Sequence, residues 1–284
     1  MLSEVRILIV FLLLLIISAC AGMNSVPADS GPDDKAFLKE EGLRLFSQGK
    51  YELAIKAFSQ ALSRDSDNAR LYYNRALCFS RTERIGKALK DYSRALELNP
   101  QMVPALTNRA ALYVEGEKFS KAVSDLQKAV GLAGDEPELY YNLGLVYLTD
   151  KKWNQSIQYL KKAIHFDPQM ARAYNSKAVA ELNLKQYQLA LQDLNQAIYL
   201  SSSQADYYFN RGIARENMGA IDQAVADYTR ALEIDPNHAP AYLNRGIVRI
   251  NLGDSVKGCQ DLESGCSAGL CEFYNKLLKQ GLCE

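Results

Sequence analysis

A spacing of 34 residues constrains this chain more than any other property of its sequence. The segment 205–238, ADYYFNRGIARENMGAIDQAVADYTRALEIDPNH, shows the unit clearly. Tyr208, Gly212 and Arg215 are spaced i, i+4, i+7 and so share one helical face. Gly219 ends that helix, because glycine accepts the left-handed conformation at a helix stop. Ala224, Tyr228 and Ala231 share a face of a second helix, and Pro236 closes the unit. Gly212, Ala224 and Ala231 let two backbones approach, while Tyr208 and Tyr228 fill the space between. A hairpin of this kind cannot bury its apolar faces alone, so the period predicts stacked copies.

The register holds across most of the chain. The small site of the first helix is Gly42, Ala76, Ala110, Gly144, Ala178, Gly212 and Gly246. The small site of the second is Ala54, Ala88, Ala122, Ser156, Ala190, Ala224 and Gly258, followed by Ala61, Ala95, Ala129, Ala163, Ala197, Ala231 and Gly265. Pro100, Pro168 and Pro236 close three units, and Ser66, Gly134 and Ser202 take their place in others. This pattern resembles the tetratricopeptide repeat. The resemblance implies an all-α fold: a right-handed α-solenoid of seven hairpins at 35–68, 69–102, 103–136, 137–170, 171–204, 205–238 and 239–272. Leu270, Phe273, Tyr274, Leu277 and Leu278 follow helical spacing and predict a capping helix over the open end, continuing into a cysteine-containing tail within 273–284. Gly258 and Gly265 stand where alanine is expected and predict a weakened seventh repeat.

In arrays of this family the first helices line a concave face. Asn74, Asn108, Asn142, Asn210 and Asn244 occupy one equivalent site on those helices, with Glu40 and Ser176 in the remaining two. An amide offers donor and acceptor together, so such a row can bond an extended peptide backbone without reading its sequence. The row resembles the asparagine ladder of the repeat domains of O-linked N-acetylglucosamine transferases. The competing role is a bond to the neighbouring helix that holds the stack. Tyr73, Tyr141 and Phe209, then Leu77, Leu145 and Ile213, lie beside the row as a candidate apolar floor or as packing between repeats. The carboxylate-clamping form of the fold is not expected, since Leu43 and Pro104 stand at two of its polar sites.

Residues 1–19 read as a secretory signal. Ile7 to Ile17 is an apolar run of eleven residues, too short for the roughly 20 needed to span a bilayer. Ile17-Ser18-Ala19-Cys20 resembles the bacterial lipobox, which implies a diacylglycerol on the Cys20 thiol, an acylated amino terminus and anchorage in a membrane. Ala21 follows where aspartate would retain a lipoprotein in the inner membrane, so the outer membrane, facing the periplasm, is implied. Residues 20–34 are small and polar and predict a tether reaching about 20 Å. Related lipoproteins serve pilus, secretion or envelope assembly, so the resemblance implies a scaffold for protein or peptide partners.

Cys259, Cys266, Cys271 and Cys283 crowd the carboxyl end. An exported chain meets an oxidising compartment, where an even count fits two disulfides in any of three pairings. A turn near Ser267 to Gly269 favours Cys266 with Cys271, leaving Cys259 for Cys283 if Gly281 lets the tail fold back. A metal or redox role for this cluster is the alternative, although no close CxxC pair is present. Cys78 sits in an apolar setting and reads as a small buried hydrophobe. Trp153 occupies the aromatic site held elsewhere by Tyr51, Phe119 and Tyr187.

No enzyme is expected. His165 and His238 are the only histidines, neither belongs to a triad-like arrangement, and no phosphate-binding glycine loop occurs. With 33 basic and 33 acidic residues and no basic stripe, nucleic acid is not an expected partner. No cofactor, metal or small-molecule substrate is expected either. Glu181, Arg215 and Arg249 take a usually apolar site, and their long stems are expected to pack while their charges reach water. A purely structural spacer without a groove ligand is the remaining alternative.

Overall fold

The computed structural model describes residues 34–281 and 283. The signal, Cys20 and nearly all of the tether lie outside them. The described chain forms fifteen helices and no strand. The first three hairpins are α1 (Asp34–Ser47) with α2 (Tyr51–Arg64), α3 (Ala69–Arg81) with α4 (Ile85–Leu98), and α5 (Val103–Glu115) with α6 (Phe119–Ala133). The fourth and fifth are α7 (Pro137–Thr149) with α8 (Trp153–Phe166), and α9 (Ala171–Asn183) with α10 (Tyr187–Leu200). The last two are α11 (Ala205–Asn217) with α12 (Ile221–Ile234), and α13 (Ala239–Asn251) with α14 (Ser255–Ser267), followed by α15 (Cys271–Lys279). Among the described residues no helix is long and apolar enough to cross a membrane.

Each hairpin turns through one left-handed residue, which is Gly49, Glu83, Glu117, Lys151, Lys185, Gly219 or Gly253. A non-glycine residue there costs about 1 kcal/mol or more, and four repeats carry that strain. What holds it is the next residue's N–H, which reaches back across the turn to the first helix. Arg84 bonds the Phe79 carbonyl at 2.8 Å, and Lys118 bonds that of Tyr113 at 2.7 Å. This is the six-to-one bond of a Schellman stop. Across the hairpin the small site meets a large one: a methyl added to Gly212 would lie 2.5 Å from the Tyr228 ring.

Gly258 has a packing reason that helix propensity alone does not supply. A methyl there would sit 2.5 Å from the Ile250 side chain and 2.8 Å from the Gly246 carbonyl. The backbones of α13 and α14 therefore touch where earlier repeats place a methyl between them. Glycine is required by packing here, and its poor helix propensity is a secondary cost. Beyond the turn, Cys266 pairs with Cys271 and Cys259 with Cys283. Gly281 adopts a φ of 67°, which folds the tail back so that Cys283 is buried against Leu262. The loop closed by Cys259 and Cys283 limits the unfolded chain by about 3 kcal/mol.

Charged clasps lie on the first helices of repeats two, three, six and seven, on the side that faces the second helices. Arg75 grips Asp91 with two nitrogens at 2.6 and 2.9 Å, and its remaining nitrogen donates to Ser59 of the preceding repeat at 3.1 Å. Arg109 does the same with Asp125 and Ser93, Arg211 with Asp227 and Asn195, and Arg245 with Asp261 and Thr229. Each arginine thus closes its own hairpin and ties it to the one before. Repeat one has Glu41 and Ala57 at the two sites and repeat four has Leu143 and Tyr159, so neither forms such a pair.

The charges at Arg215, Arg249 and Glu181 do not simply reach water, contrary to expectation. Arg215 bonds Asp227 at 2.7 Å, and Arg249 bonds Asp261 at 2.7 Å, so two arginines flank each buried carboxylate. Repeat five inverts the balance. Lys177 lies 2.6 Å from Asp193 and 3.4 Å from Glu181, leaving two carboxylates to one ammonium. Glu181 is 2% exposed, and its second carboxylate oxygen has no hydrogen-bond partner. Burial, then the neighbouring Asp193, pushes its carboxyl up to about 8 from an ordinary 4.5. A carboxyl raised on folding costs nothing at a pH where both states are protonated. Its cost grows as the unfolded state ionises and levels once the folded state follows. The wild-type melting temperature should therefore fall by several degrees relative to Glu181→Gln between about pH 5 and pH 8. Parallel thermal melts of the two proteins across that range provide the check.

Candidate functional site

First helices of neighbouring repeats approach one another directly, as α1 does α3 and α9 does α11, whereas second helices are held apart. The first helices therefore line the inside of the curve. Asn74, Asn108, Asn142, Asn210 and Asn244 fall at one level of α3, α5, α7, α11 and α13 along it.

These five amides are not equivalent. Asn108 donates to the Tyr73 hydroxyl at 3.2 Å, one repeat back. Asn210 donates to the Asn175 side chain at 2.9 Å, and Asn244 donates more weakly to the Tyr228 hydroxyl at 3.5 Å. Three members of the row thus hold neighbouring repeats together. Asn74 and Asn142 make no side-chain hydrogen bond among the described residues, and the preceding repeat brings them no tyrosine hydroxyl to meet, as it brings none to Asn210, which turns to Asn175 instead. A tyrosine on the second helix of the preceding repeat, Tyr92 before Asn108 or Tyr228 before Asn244, brings a hydroxyl up between the first helices. Phe58 and Leu126 occupy that site before Asn74 and Asn142 and offer no such group.

The aromatic floor is also divided. Tyr73 stands 5.9 Å from the Tyr92 ring, and its hydroxyl is taken up by Asn108. Phe209 packs between Tyr228 at 5.9 Å and His238 at 4.8 Å. Tyr141 lies under the Arg172 guanidinium, 4.7 Å from ring centre, and Arg172 is itself paired with Glu138. Burial pushes the Tyr141 hydroxyl upward, so it stays a neutral donor and acceptor. Leu77 and Ile213 are buried, and Leu145 is half-buried. His238 caps α13: its Nδ1 accepts from the Ala241 N–H at 3.1 Å, which leaves Nε2 to face Asp206 at 3.1 Å.

Two features of this face escaped the reading of the sequence. Asn183, Asn217 and Asn251 form a second amide row at the same period on α9, α11 and α13. Asn183 and Asn217 turn their amide nitrogens onto their own helix carbonyls at 2.8 and 2.9 Å, which leaves the side-chain oxygens as acceptors. Glu216 is the second feature. Its site in the other repeats is Phe46, Ser80, Val114, Leu148, Leu182 or Ile250, none of them charged.

The cysteines carry no comparable site. Cys259, Cys266, Cys271 and Cys283 are consumed in disulfides, so none is a thiolate able to hold a metal. Cys78 is fully buried, and burial pushes its thiol up to about 12, which removes it as a nucleophile at neutral pH.

A tetratricopeptide repeat family model matches residues 39–103, 107–171 and 152–208, a second matches 205–238, and a third matches 227–260. Among solved structures, a tetratricopeptide repeat protein from Parabacteroides merdae superposes with a TM-score of 0.71 at 22% identity, covering 87% of this chain and 98% of that one. PilF of Pseudomonas aeruginosa gives 0.61 at 20% identity, over 73% of this chain and 94% of its own. YrrB, described as a repeat protein with an unusual peptide-binding site, gives 0.54 at 24% identity, over 66% and 96%. The family models together span well over half of the sequence, and this chain belongs to the tetratricopeptide repeat family.

Proposed function

We propose that this protein is a scaffold of the bacterial cell envelope, anchored by lipid on Cys20, that holds a protein or extended peptide in its concave groove. The observation that carries the groove reading is the pair of uncommitted amides, Asn74 and Asn142. Each sits beside an aromatic ring, Tyr73 or Tyr141, and an apolar side chain, Leu77 or Leu145. An amide without a protein partner on a half-buried surface is free to bond a peptide backbone, and the apolar neighbours suit side-chain anchors. The peptide-binding site named for YrrB accords with this use of the fold. The lipobox-like Ile17-Ser18-Ala19-Cys20 supports the anchor, and Ala21 after it supports the outer membrane. Assembly of a pilus, a secretion apparatus or another envelope structure is the setting this combination suits.

Two experiments test the reading. Asn74→Ala with Asn142→Ala should weaken capture of envelope partners about tenfold and leave the melting temperature unchanged. Asn108→Ala should instead cost about 1 kcal/mol of stability. Partner affinity measured beside thermal melts separates the two classes, and unchanged capture by the Asn74/Asn142 double variant would favour the spacer. For the anchor, the mature chain should begin at Cys20 with its acyl chains visible in the intact mass, and Cys20→Ser should move the protein from membrane to soluble fractions. A chain that still begins at Met1 without lipid contradicts the anchor.

A further inference from the structure

Glu216 is a charge set into the groove without a counterion. It lies near the end of α11, half-buried, and accepts a hydrogen bond from the Tyr228 hydroxyl at 2.6 Å. That hydroxyl is met in turn by the Asn244 amide, so the carboxylate is held through two neighbouring helices. Burial pushes the Glu216 carboxyl upward, and the Tyr228 bond works against that.

Every cation that could neutralise it from the lining helices is already engaged. On α9, Arg172 pairs with Glu138, and Lys177 pairs with Asp193 and Glu181. On α11, Arg211 and Arg215 both turn to Asp227. On α13, Arg245 and Arg249 both turn to Asp261. These are all the lysines and arginines of the three helices. Glu216 has no ion pair among the described residues, unlike Asp91, Asp125, Asp193, Asp227, Asp261 and Glu181, which are buried in the same array and paired. Ile213 and Asn217 flank Glu216 along α11, and Ile247, Ile250 and Asn251 hold the corresponding stretch of α13.

A half-buried carboxylate without a cationic partner is desolvated at a cost, and a site that keeps one is complementary to the opposite charge. We propose that Glu216 is the subsite in repeats six and seven that accepts a lysine or arginine side chain of the groove's polypeptide partner. Tyr228 and Asn244 are positioning residues that fix the carboxylate, and the isoleucines cover the aliphatic stem of the incoming side chain. This subsite rests on the groove reading above and adds to it the chemical class of one anchor.

The test uses the full chain, an array of randomised dodecapeptides, and a second copy of the array in which every lysine is Nε-acetylated and every arginine is replaced by citrulline. Wild type should select peptides containing lysine or arginine and bind them about tenfold more tightly than their neutralised copies. Glu216→Gln keeps the size of the side chain and an oxygen for Tyr228. It should lose that preference to within about twofold, with binders that lack lysine and arginine unaffected and the melting temperature no lower than that of wild type. Should Glu216→Gln keep the full preference, or should wild type select peptides without regard to basic residues, the subsite is overturned and the groove stands. Should neither protein bind any peptide above an unrelated helical control, the groove reading falls and the subsite falls with it.

Discussion

The arginine that clasps an aspartate sixteen residues onward is the contact on which the array depends. A stack of hairpins has no enclosed centre, so its order comes from what passes between adjacent units. Arg75, Arg109, Arg211 and Arg245 each spend two nitrogens on an aspartate of their own hairpin and a third on the hairpin before. The planar fork of the guanidinium makes this possible, because it supplies several donors in one fixed plane. The aspartates are nearly inaccessible to water, so each needs its arginine to be tolerated at all. Repeat four replaces both members together, with Leu143 and Tyr159, and Tyr159 stacks 5.3 Å from Tyr147. Removing both members of such a pair avoids leaving a lone buried charge, which is the arrangement energetics favours when the clasp is dispensed with.

This placement of charge shapes the opposite face. Because the basic residues of α9, α11 and α13 are drawn toward second helices or to Glu138, the groove they line is left with amides, apolar side chains and one uncompensated carboxylate. The same economy divides the asparagine row. Asn108 and Asn244, which follow a repeat with a tyrosine at that site, and Asn210, which finds Asn175 instead, are used for cohesion, while Asn74 and Asn142 bond no other side chain among the described residues. Cohesion thus falls to some copies of one residue at one site and not to others.

Much of this was legible in the sequence. The 34-residue register, the small sites and the left-handed turn at Gly219 follow from spacing and from the backbone freedom of glycine. The pairing of Cys266 with Cys271 follows from a turn that brings them together. Other features depend on contacts between residues far apart in the chain. Arg215 and Arg249 looked like surface charges because their aspartates lie twelve residues away on another helix. The clasp itself could have been read, since Arg and Asp recur in step and are both missing from repeats one and four. The packing role of Gly258 was hidden because helix propensity speaks of an isolated helix, whereas here two backbones meet. Glu216 could have been found by aligning the repeats and noting one charge in an uncharged column.

The account is tested most directly by urea unfolding of Arg109→Met beside wild type. That change keeps much of the stem and leaves Asp125 buried without its partner. A clasp that sustains the stack predicts a loss of about 3 kcal/mol or more and a transition that no longer unfolds the array as one unit. A loss under about 1 kcal/mol with a single unchanged transition, as expected of an exposed ion pair, would contradict it.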